Sequence, residues 1–186
     1  MSIYGGSVRR RVLISCVAAL VGATSLPAVA QPSGDTTVTF TVSTSNLTIE
    51  VPASDNLGSA FPGQTITGQL GTVTVNDQRA AANAIWTASV ISTQFDTGSD
   101  DDTEIILPNL VTYWSGQTTA TTGNGTFVPG QPTRADRVSL NQPRTAFSKT
   151  SGNGNNSASW NPTLEITIPQ DAVGGLYHGT VTHSVA

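Results

Sequence analysis

The sequence has 186 residues, of which 37% are hydrophobic and 11% charged, with a formal net charge of −4. Three of the eight basic residues stand at positions 9–11, and all twelve acidic residues follow Ala30, so the chain beyond Ala30 carries −7. Five scattered basic residues argue against nucleic acid or anionic lipid as a partner, because both bind to basic patches. Cys16 is the only cysteine, so the chain beyond Ala30 has no disulfide, thiolate metal site or cysteine nucleophile.

The first thirty residues have the pattern of a secretory signal peptide. Three arginines precede an apolar run from Val12 to Leu26, and Ala28-Val29-Ala30 has the small-x-small pattern of a signal peptidase site. The run is shorter than the roughly twenty residues that a bilayer-spanning helix needs. We therefore expect residues 1–30 to be cleaved and residues 31–186 to form one secreted domain, without membrane attachment. The export route stays open, because the arginines also fit a twin-arginine signal.

Beyond Ala30, apolar side chains alternate with Thr, Ser and Asn over short runs, as in half-buried β-strands. No helix-length period lies between the runs, so we expect an all-β fold and an antiparallel sandwich. In the clearest run, residues 160–168, we expect Thr163 and Glu165 to face solvent. The apolar members of the runs are, in chain order, Val38-Phe40-Val42, Leu47-Ile49-Val51, Val73-Val75, Trp86-Ala88-Val90, Trp160-Leu164-Ile166-Ile168 and Tyr177-Val181-Val185.

Turns and loops are predicted between these runs. Pro62-Gly63 and Pro129-Gly130 each suit the central positions of a type II turn. Residues 118–132 and 151–159 are rich in Gly, Thr, Ser and Asn, which predicts exposed polar loops that are available to a partner.

Residues 95–104, "FDTGSDDDTE", contain the Asp-Thr-Gly-Ser string of aspartic proteases. Those enzymes need two carboxylates that share a proton, and this sequence has no second copy of the string. The acids that follow would also repel a buried charge at Asp96. Asp100, Asp102 and Glu104 stand at alternate positions like calcium ligands, so calcium stays open as a ligand, although the spacing of a helix-loop-helix calcium site is absent. We favour a solvated turn at Asp96-Thr97-Gly98.

Three aromatic positions and one histidine are candidates for binding or for the core. Trp86 and Trp160 are in phase with apolar neighbours, which predicts burial. Tyr113 and Trp114 precede a glycine turn and are the ligand-binding candidates, because side by side they could form an exposed stacking surface for a sugar ring. The alternative, which we favour, is that Trp114 is buried against the core. His183 is in phase with Val181 and Val185, which predicts a half-buried, hydrogen-bonded side chain. No catalytic residue, nucleotide fingerprint or nucleophile elbow is found, and we expect no enzyme activity.

Several segments together resemble a known group of proteins. "LGTVTVNDQRAAANAIWTASV" at 70–90, with an Asp-x-Arg turn at Asp77 and Arg79, "ILPNLVTYWSG" at 106–116 and the ending at 160–185 carry the resemblance. In these segments the chain resembles small secreted actinobacterial surface proteins, which are distantly similar to the WxL cell-wall domain of Gram-positive bacteria. Neither Trp86 nor Trp160 is followed by x-Leu, so the signature itself is missing. The resemblance implies an immunoglobulin-like sandwich, export and a wall-associated or adhesive role without catalysis.

Two functions are therefore expected from the sequence. The first is a secreted, non-catalytic binding module that holds to cell-wall polysaccharide, peptidoglycan or another surface protein, through Tyr113, Trp114 and the polar loops. The alternative is a structural subunit that assembles by strand pairing into a coat or fibre, with residues 35–43 as a donor segment.

Overall fold

The computed structural model describes residues 37–41, 46–99 and 101–186. The chain divides after Phe40, and the fold below belongs to Thr41–Ala186. It is all-β: the strands pair antiparallel, and three 3₁₀ turns but no α-helix occur among the described residues. No helix in this described part has the length and apolar content that a bilayer crossing requires. The predicted signal peptide, residues 1–30, lies outside the described residues.

Fourteen strands form three four-stranded sheets and one hairpin in the described chain. The strands are β1 (Leu47–Glu50), β2 (Thr65–Gln69), β3 (Val73–Asp77), β4 (Trp86–Ser92), β5 (Phe95–Asp96), β6 (Ile105–Ile106), β7 (Val111–Trp114), β8 (Thr118–Thr122), β9 (Phe127–Pro129), β10 (Val138–Ser139), β11 (Arg144–Lys149), β12 (Asn156–Trp160), β13 (Thr163–Thr167) and β14 (Val181–Val185). Sheet A has the order β1-β3-β12-β8, sheet B the order β10-β7-β13-β2, and sheet C the order β14-β4-β11-β9, while β5 and β6 form the hairpin.

Sheets A and B are the two halves of one bent sheet. Three chain segments run from one half into the other, because β2 leads into β3, β7 into β8 and β12 into β13 after two or three residues. Gly71 and Gly116 lie at the bend with φ of 83° and 70°, a region in which other residues are strained. Pro162 interrupts the third segment, and its carbonyl accepts a hydrogen bond from the backbone N–H of Leu70 at 2.9 Å. The bend lets one sheet cover two sides of the core.

Sheet C closes the core against the bent sheet. Trp160 of β12 stacks on Phe147 of β11, with ring centroids 4.9 Å apart and an interplanar angle of 16°. Trp86 of β4 stacks on the same phenylalanine at 6.3 Å. All three are almost fully buried, and such aromatic side chains provide much of the apolar area that a core removes from water.

The predicted alternation is confirmed in the central strands. Val73 and Val75 of β3 are 0% exposed, and Trp86, Ala88 and Val90 of β4 are at most 2% exposed. Their intervening residues lie on the outer faces of the sheets. Period-two burial, one apolar face against one polar face, therefore operates as the sequence indicates.

The first predicted strand is wrong over its described part. Residues 37–41 form no strand, and Val38 and Phe40 are 79% and 86% exposed. Val42 lies outside the described residues. Alternation produces a strand only where a neighbouring strand accepts the backbone hydrogen bonds and a core receives the apolar face. Neither condition is met in residues 37–41.

The two predicted polar loops are largely strands, which corrects the sequence prediction. Residues 118–132 contain β8 and β9, and β12 begins at Asn156 within the second predicted loop. All five residues of β8 are exposed, so this edge strand has no buried face to produce an apolar period. A strand of this kind follows from pairing with a neighbour rather than from its own pattern.

The two Pro-Gly pairs differ in structure. The turn at Pro62-Gly63 is confirmed, with φ of 76° at Gly63 and a hydrogen bond from Gln64 N–H to Phe61 C=O. Pro129-Gly130 is not a turn, because Pro129 belongs to β9. A Cβ at Gly130 would lie 2.0 Å from the backbone oxygen of Thr145, so glycine there permits close approach to β11.

Strand β13 is buried on both faces, contrary to the prediction that Thr163 and Glu165 face solvent. Their exposed fractions are 9% and 6%. The guanidinium groups of Arg134 and Arg137 lie 2.6 and 3.2 Å from the Glu165 carboxylate and cover it. Thr163 is the cross-strand neighbour of Trp114. Side chains from a 3₁₀ turn that is distant in sequence thus bury the face of β13 that its own alternation predicts to be exposed.

Candidate functional site

The acidic segment forms the solvated turn that the sequence favours. Strands β5 and β6 pair through Phe95 with Ile106 and Asp96 with Ile105. The Asp96 carboxylate accepts a hydrogen bond from the backbone N–H of Gly98 at 3.0 Å, and Gly98 has φ of 91°. Asp96 therefore closes an Asx turn, the local role that is typical of this residue. Its carboxylate is engaged in holding the turn.

The calcium candidates of this turn do not converge in the described residues. Asp100 lies outside them, while Asp102 and Glu104 belong to a 3₁₀ turn, Asp102–Glu104. At three residues per turn, side chains two positions apart point about 120° away from each other. Hydrogen bonds from the hydroxyl and from the backbone N–H of Thr103 lower the pKa of Asp101, which caps the turn. No group of three metal-ligating side chains assembles within the described ranges, and calcium binding stays a prediction.

The predicted stacking surface of Tyr113 and Trp114 is not formed. Tyr113 is 0% exposed and belongs to the core, whereas Trp114 is half-buried on the outer face of sheet B. Adjacent residues of a strand point to opposite faces, so the two rings cannot share one surface. Tyr113 and Trp114 are neighbours in the chain but not on one surface of the fold.

Tyr113 instead connects the three large sheets through a chain of hydrogen bonds. Trp160 Nε1 of sheet A donates to the hydroxyl of Tyr113 in sheet B at 3.2 Å. The same hydroxyl lies 3.2 Å from Nε2 of His183 in sheet C. Because the indole N–H can only donate, the tyrosine proton is free to point at His183. His183 then accepts with an unprotonated Nε2, which requires its neutral form.

Burial has a direct electrostatic effect on this chain of hydrogen bonds. It lowers the pKa of His183 to about 4 and raises the pKa of Tyr113, since each ring disfavours its charged form away from water. The prediction that His183 is half-buried and hydrogen-bonded is confirmed. No carboxylate accompanies the imidazole in these hydrogen bonds, so the arrangement joins sheets and does not resemble a catalytic triad.

A second buried polar network lies around the Asp-x-Arg turn. Asp77 is 0% exposed, and the Arg79 guanidinium donates to both of its carboxylate oxygens at 2.9 Å. These bonds lower the pKa of Asp77. Asn156 donates to Asp77 and accepts from Trp86 Nε1 at 2.8 Å, which fixes the turn to the core. Every group has a partner in the chain, so this network is structural.

The outer face of sheet A is a polar surface built from four strands. Strand pairing brings eight side chains into two rows across four strands. The first row is Thr48, Asn76, Ser157 and Thr122, and the second is Glu50, Thr74, Ser159 and Ala120. Their alternate neighbours, such as Val75 and Ala158, point into the core. These eight residues are called the hydroxyl face below.

The hydroxyl face is polar and almost uncharged. Five of its eight side chains carry a hydroxyl group, and Glu50 at one corner has the only formal charge. Two cross-strand pairs bond to each other, Thr74 with Ser159 at 2.9 Å and Thr122 with Ser157 at 2.7 Å. From standard strand spacing, the two rows cover about 14 by 7 Å. Each bonded hydroxyl keeps acceptor capacity for a ligand.

Sequence reasoning missed this face because the pairing of its strands is non-local. β8, and β12 except for its last residue, fall inside the two segments that were predicted to be polar loops. The available signal was the alternation of Val75, Ala158 and Trp160 with hydroxyl and amide side chains. Residues 120–122 and 157–159 lie far apart in sequence, and only the register of the sheet places them side by side.

Comparison with known proteins adds little to this geometry. No family model matches the chain, and no match was found among curated proteins. One similar solved structure is a family 123 glycoside hydrolase from Clostridium perfringens, from a study of glycolipid glycan hydrolysis, with 18% identity and a TM-score of 0.35. The similarity covers 68% of this chain and 19% of that chain, so this chain spans about a fifth of the enzyme's length. Similarity at this level supports no statement about fold, activity or ligand.

Proposed function

We propose that this chain is a secreted, non-catalytic binding module of the bacterial cell surface that holds to a neutral polysaccharide of the cell wall through the hydroxyl face. The proposal keeps the expected export, the wall association and the resemblance to WxL-like surface proteins of Gram-positive bacteria. It also keeps an immunoglobulin-like arrangement of the sandwich. It moves the binding surface from Tyr113 and Trp114 to sheet A.

The observation that carries the proposal is the chemistry of the hydroxyl face. An anionic polymer would need basic side chains on the hydroxyl face, and the face has none. Its only charged residue is the acidic Glu50. An apolar partner would need an apolar patch, whereas Ala120 is the only aliphatic residue of the eight. A neutral sugar polymer offers hydroxyl groups that donate and accept in the same way as Thr and Ser.

Each hydrogen bond between the hydroxyl face and a sugar contributes little binding free energy. A hydrogen bond that replaces one with water contributes about 1 kcal/mol net, so several must form together. The regular spacing of the two rows serves this purpose, because a repeating polymer meets several hydroxyl groups at once. Retention on an insoluble wall polymer is therefore a better measurement than affinity for a single sugar.

The experiment is a pull-down of the purified protein on purified cell-wall polysaccharide at low salt. The test variant is Thr48→Glu with Thr122→Glu, which places two charges on exposed positions of the hydroxyl face. The matched control is Thr87→Glu with Thr182→Glu, exposed threonines on the outer face of sheet C. We expect at least a tenfold loss of retention for the first variant and none for the control. Equal retention of both variants, or no retention of the unsubstituted protein, would refute the proposal.

A second candidate function is a structural subunit that assembles by strand pairing into a coat or fibre. It is supported by β8, an edge strand whose five residues are all exposed. The expected donor is residues 35–43, of which residues 37–41 are described and form no strand. Size-exclusion chromatography at high concentration tests it: assembly that disappears when residues 35–43 are deleted supports the subunit, and a stable monomer opposes it.

A further inference from the structure

A cavity of about 320 Å³ opens on another side of the molecule, between residues 51–57 and residues 177–181. Its floor is apolar and includes Val73 and Leu164, which are 0% and 1% exposed to bulk solvent. The volume lies at the small end of the range for ligand sites. It does not touch the hydroxyl face, because Val73 points to the opposite side of β3.

The walls of the cavity follow two outermost strands. Residues 51–57 continue from β1, an edge of sheet A, and residues 177–180 lead into β14, an edge of sheet C. Among the described backbone hydrogen bonds, none involves residues 53–56, and all four of these residues are exposed. Peptide groups that have no partner in the described chain, beside an apolar floor, are what an extended peptide needs in order to pair with an edge.

The charge around the cavity is negative. Asp55 lies on the rim, and no lysine or arginine is among the lining residues. The acidic hairpin β5–β6 adjoins the opposite wall: the backbone groups of His178 and Asp96 bond to each other at 2.8 and 3.0 Å. The hydroxyl of Tyr177 lies 3.2 Å from the carbonyl oxygen of Thr103, at the tip that carries Asp101, Asp102 and Glu104. Fields of this sign concentrate cationic partners.

We infer that this cavity is a docking site for an extended basic peptide segment of another surface protein. An apolar side chain of the peptide occupies the floor over Val73 and Leu164. The flanking lysine or arginine side chains face Asp55 and the acidic hairpin. The peptide backbone bonds to the free groups of residues 53–56. This goes beyond the proposed function, since the surface and the class of partner are both different.

The two histidines allow a direct test, because the chain has only His178 and His183 and both line the cavity. Imidazole resonances of the purified protein are followed by NMR at pH 7 during three titrations. The ligands are acetyl-Lys-Leu-Lys-Phe-Lys-amide, the same peptide with Glu in place of Lys, and a neutral chitin oligosaccharide. We expect saturable shifts of the histidine resonances with the basic peptide, and at least tenfold weaker binding of the acidic one.

Charge reversal provides the matched variants. Asp55→Lys should weaken binding of the basic peptide at least tenfold, whereas Asp171→Lys, an exposed carboxylate outside the lining, should change it less than twofold. Both positions are exposed, and unfolding curves check that both variants fold. Equal shifts with the acidic and basic peptides, shifts with the oligosaccharide alone, or no shifts would each overturn the inference. Polysaccharide retention by the hydroxyl face is measured separately, so the two proposals can fail independently.

Discussion

Acidification should destabilise this protein through His183, in a pH range where few other groups titrate. Its Nε2 lies 3.2 Å from the Tyr113 hydroxyl, and burial lowers its pKa to about 4, against an unfolded value of about 6.5. Protonation would place a positive charge beside the core, where little water can solvate it. The unfolded chain therefore binds this proton more readily than the native chain.

The magnitude follows from linkage. A lowered histidine pKa gives stability that is complete above about pH 6.5 and is lost as the pH falls towards 4, because the unfolded state takes up the proton first. At pH 4.5 the unfolded imidazole is almost fully protonated and the native one only in part. The difference lowers the free energy of unfolding by about 2.5 kcal/mol relative to pH 8. The lowered pKa of Asp77 acts below this range, since its ordinary value is 3.8.

The assay is urea unfolding followed by tryptophan fluorescence between pH 8 and 4.5. The unsubstituted protein should lose about 2.5 kcal/mol over this range, and His183→Gln, which cannot titrate there, should lose little. His178→Gln is the control, because His178 is exposed and should leave the pH profile of the parent unchanged. A parent profile that is flat, or one that His183→Gln reproduces in full, would refute this account.

Two further changes test the burial of β13 and the approach of β9 to β11. Removing Arg134 and Arg137 together, as Arg134→Met with Arg137→Met, leaves a buried carboxylate without a partner and should cost about 3 kcal/mol of unfolding free energy. Glu165→Gln should cost only about 1 kcal/mol of unfolding free energy, because water can solvate the two half-exposed arginines that lose their partner. A greater loss for Glu165→Gln than for the double arginine variant would contradict this explanation. Gly130→Ala brings a methyl group against the Thr145 carbonyl and should cost about 3 kcal/mol. Gly154→Ala, in open space at φ of 68°, should cost about 1 kcal/mol, and thermal unfolding of the pair checks the difference.

The sequence predicts strands best where one face is buried by the whole sheet. Examples are Val73, Val75, Trp86 and Val90. Apolar residues at every second position lie on one face of a strand, so they are all buried when that face packs against the core. It predicts turns where one residue forms the local hydrogen bond, as Asp96 does with the N–H of Gly98. In both cases the cause lies within a few residues of its effect.

The candidate sites could not be predicted in the same way. Tyr113 and Trp114 are adjacent in sequence, yet the pleat of β7 sends one into the core and leaves the other outside. Glu165 has the pattern of an exposed residue, but two arginines about thirty positions earlier cover it. Each outcome depends on partners that the local sequence does not specify.

By itself, the sequence determined that this chain forms short strands with one apolar face, that its surface is acidic, and that Asp96 begins a turn. These features follow from side-chain period, charge and local hydrogen bonding, which act over a few residues. Only the tertiary structure decided the bend between sheets A and B, the chain of hydrogen bonds through Tyr113, and the rows of the hydroxyl face. Those depend on strand register, which pairs residues up to about one hundred positions apart through backbone hydrogen bonds that any side chain permits.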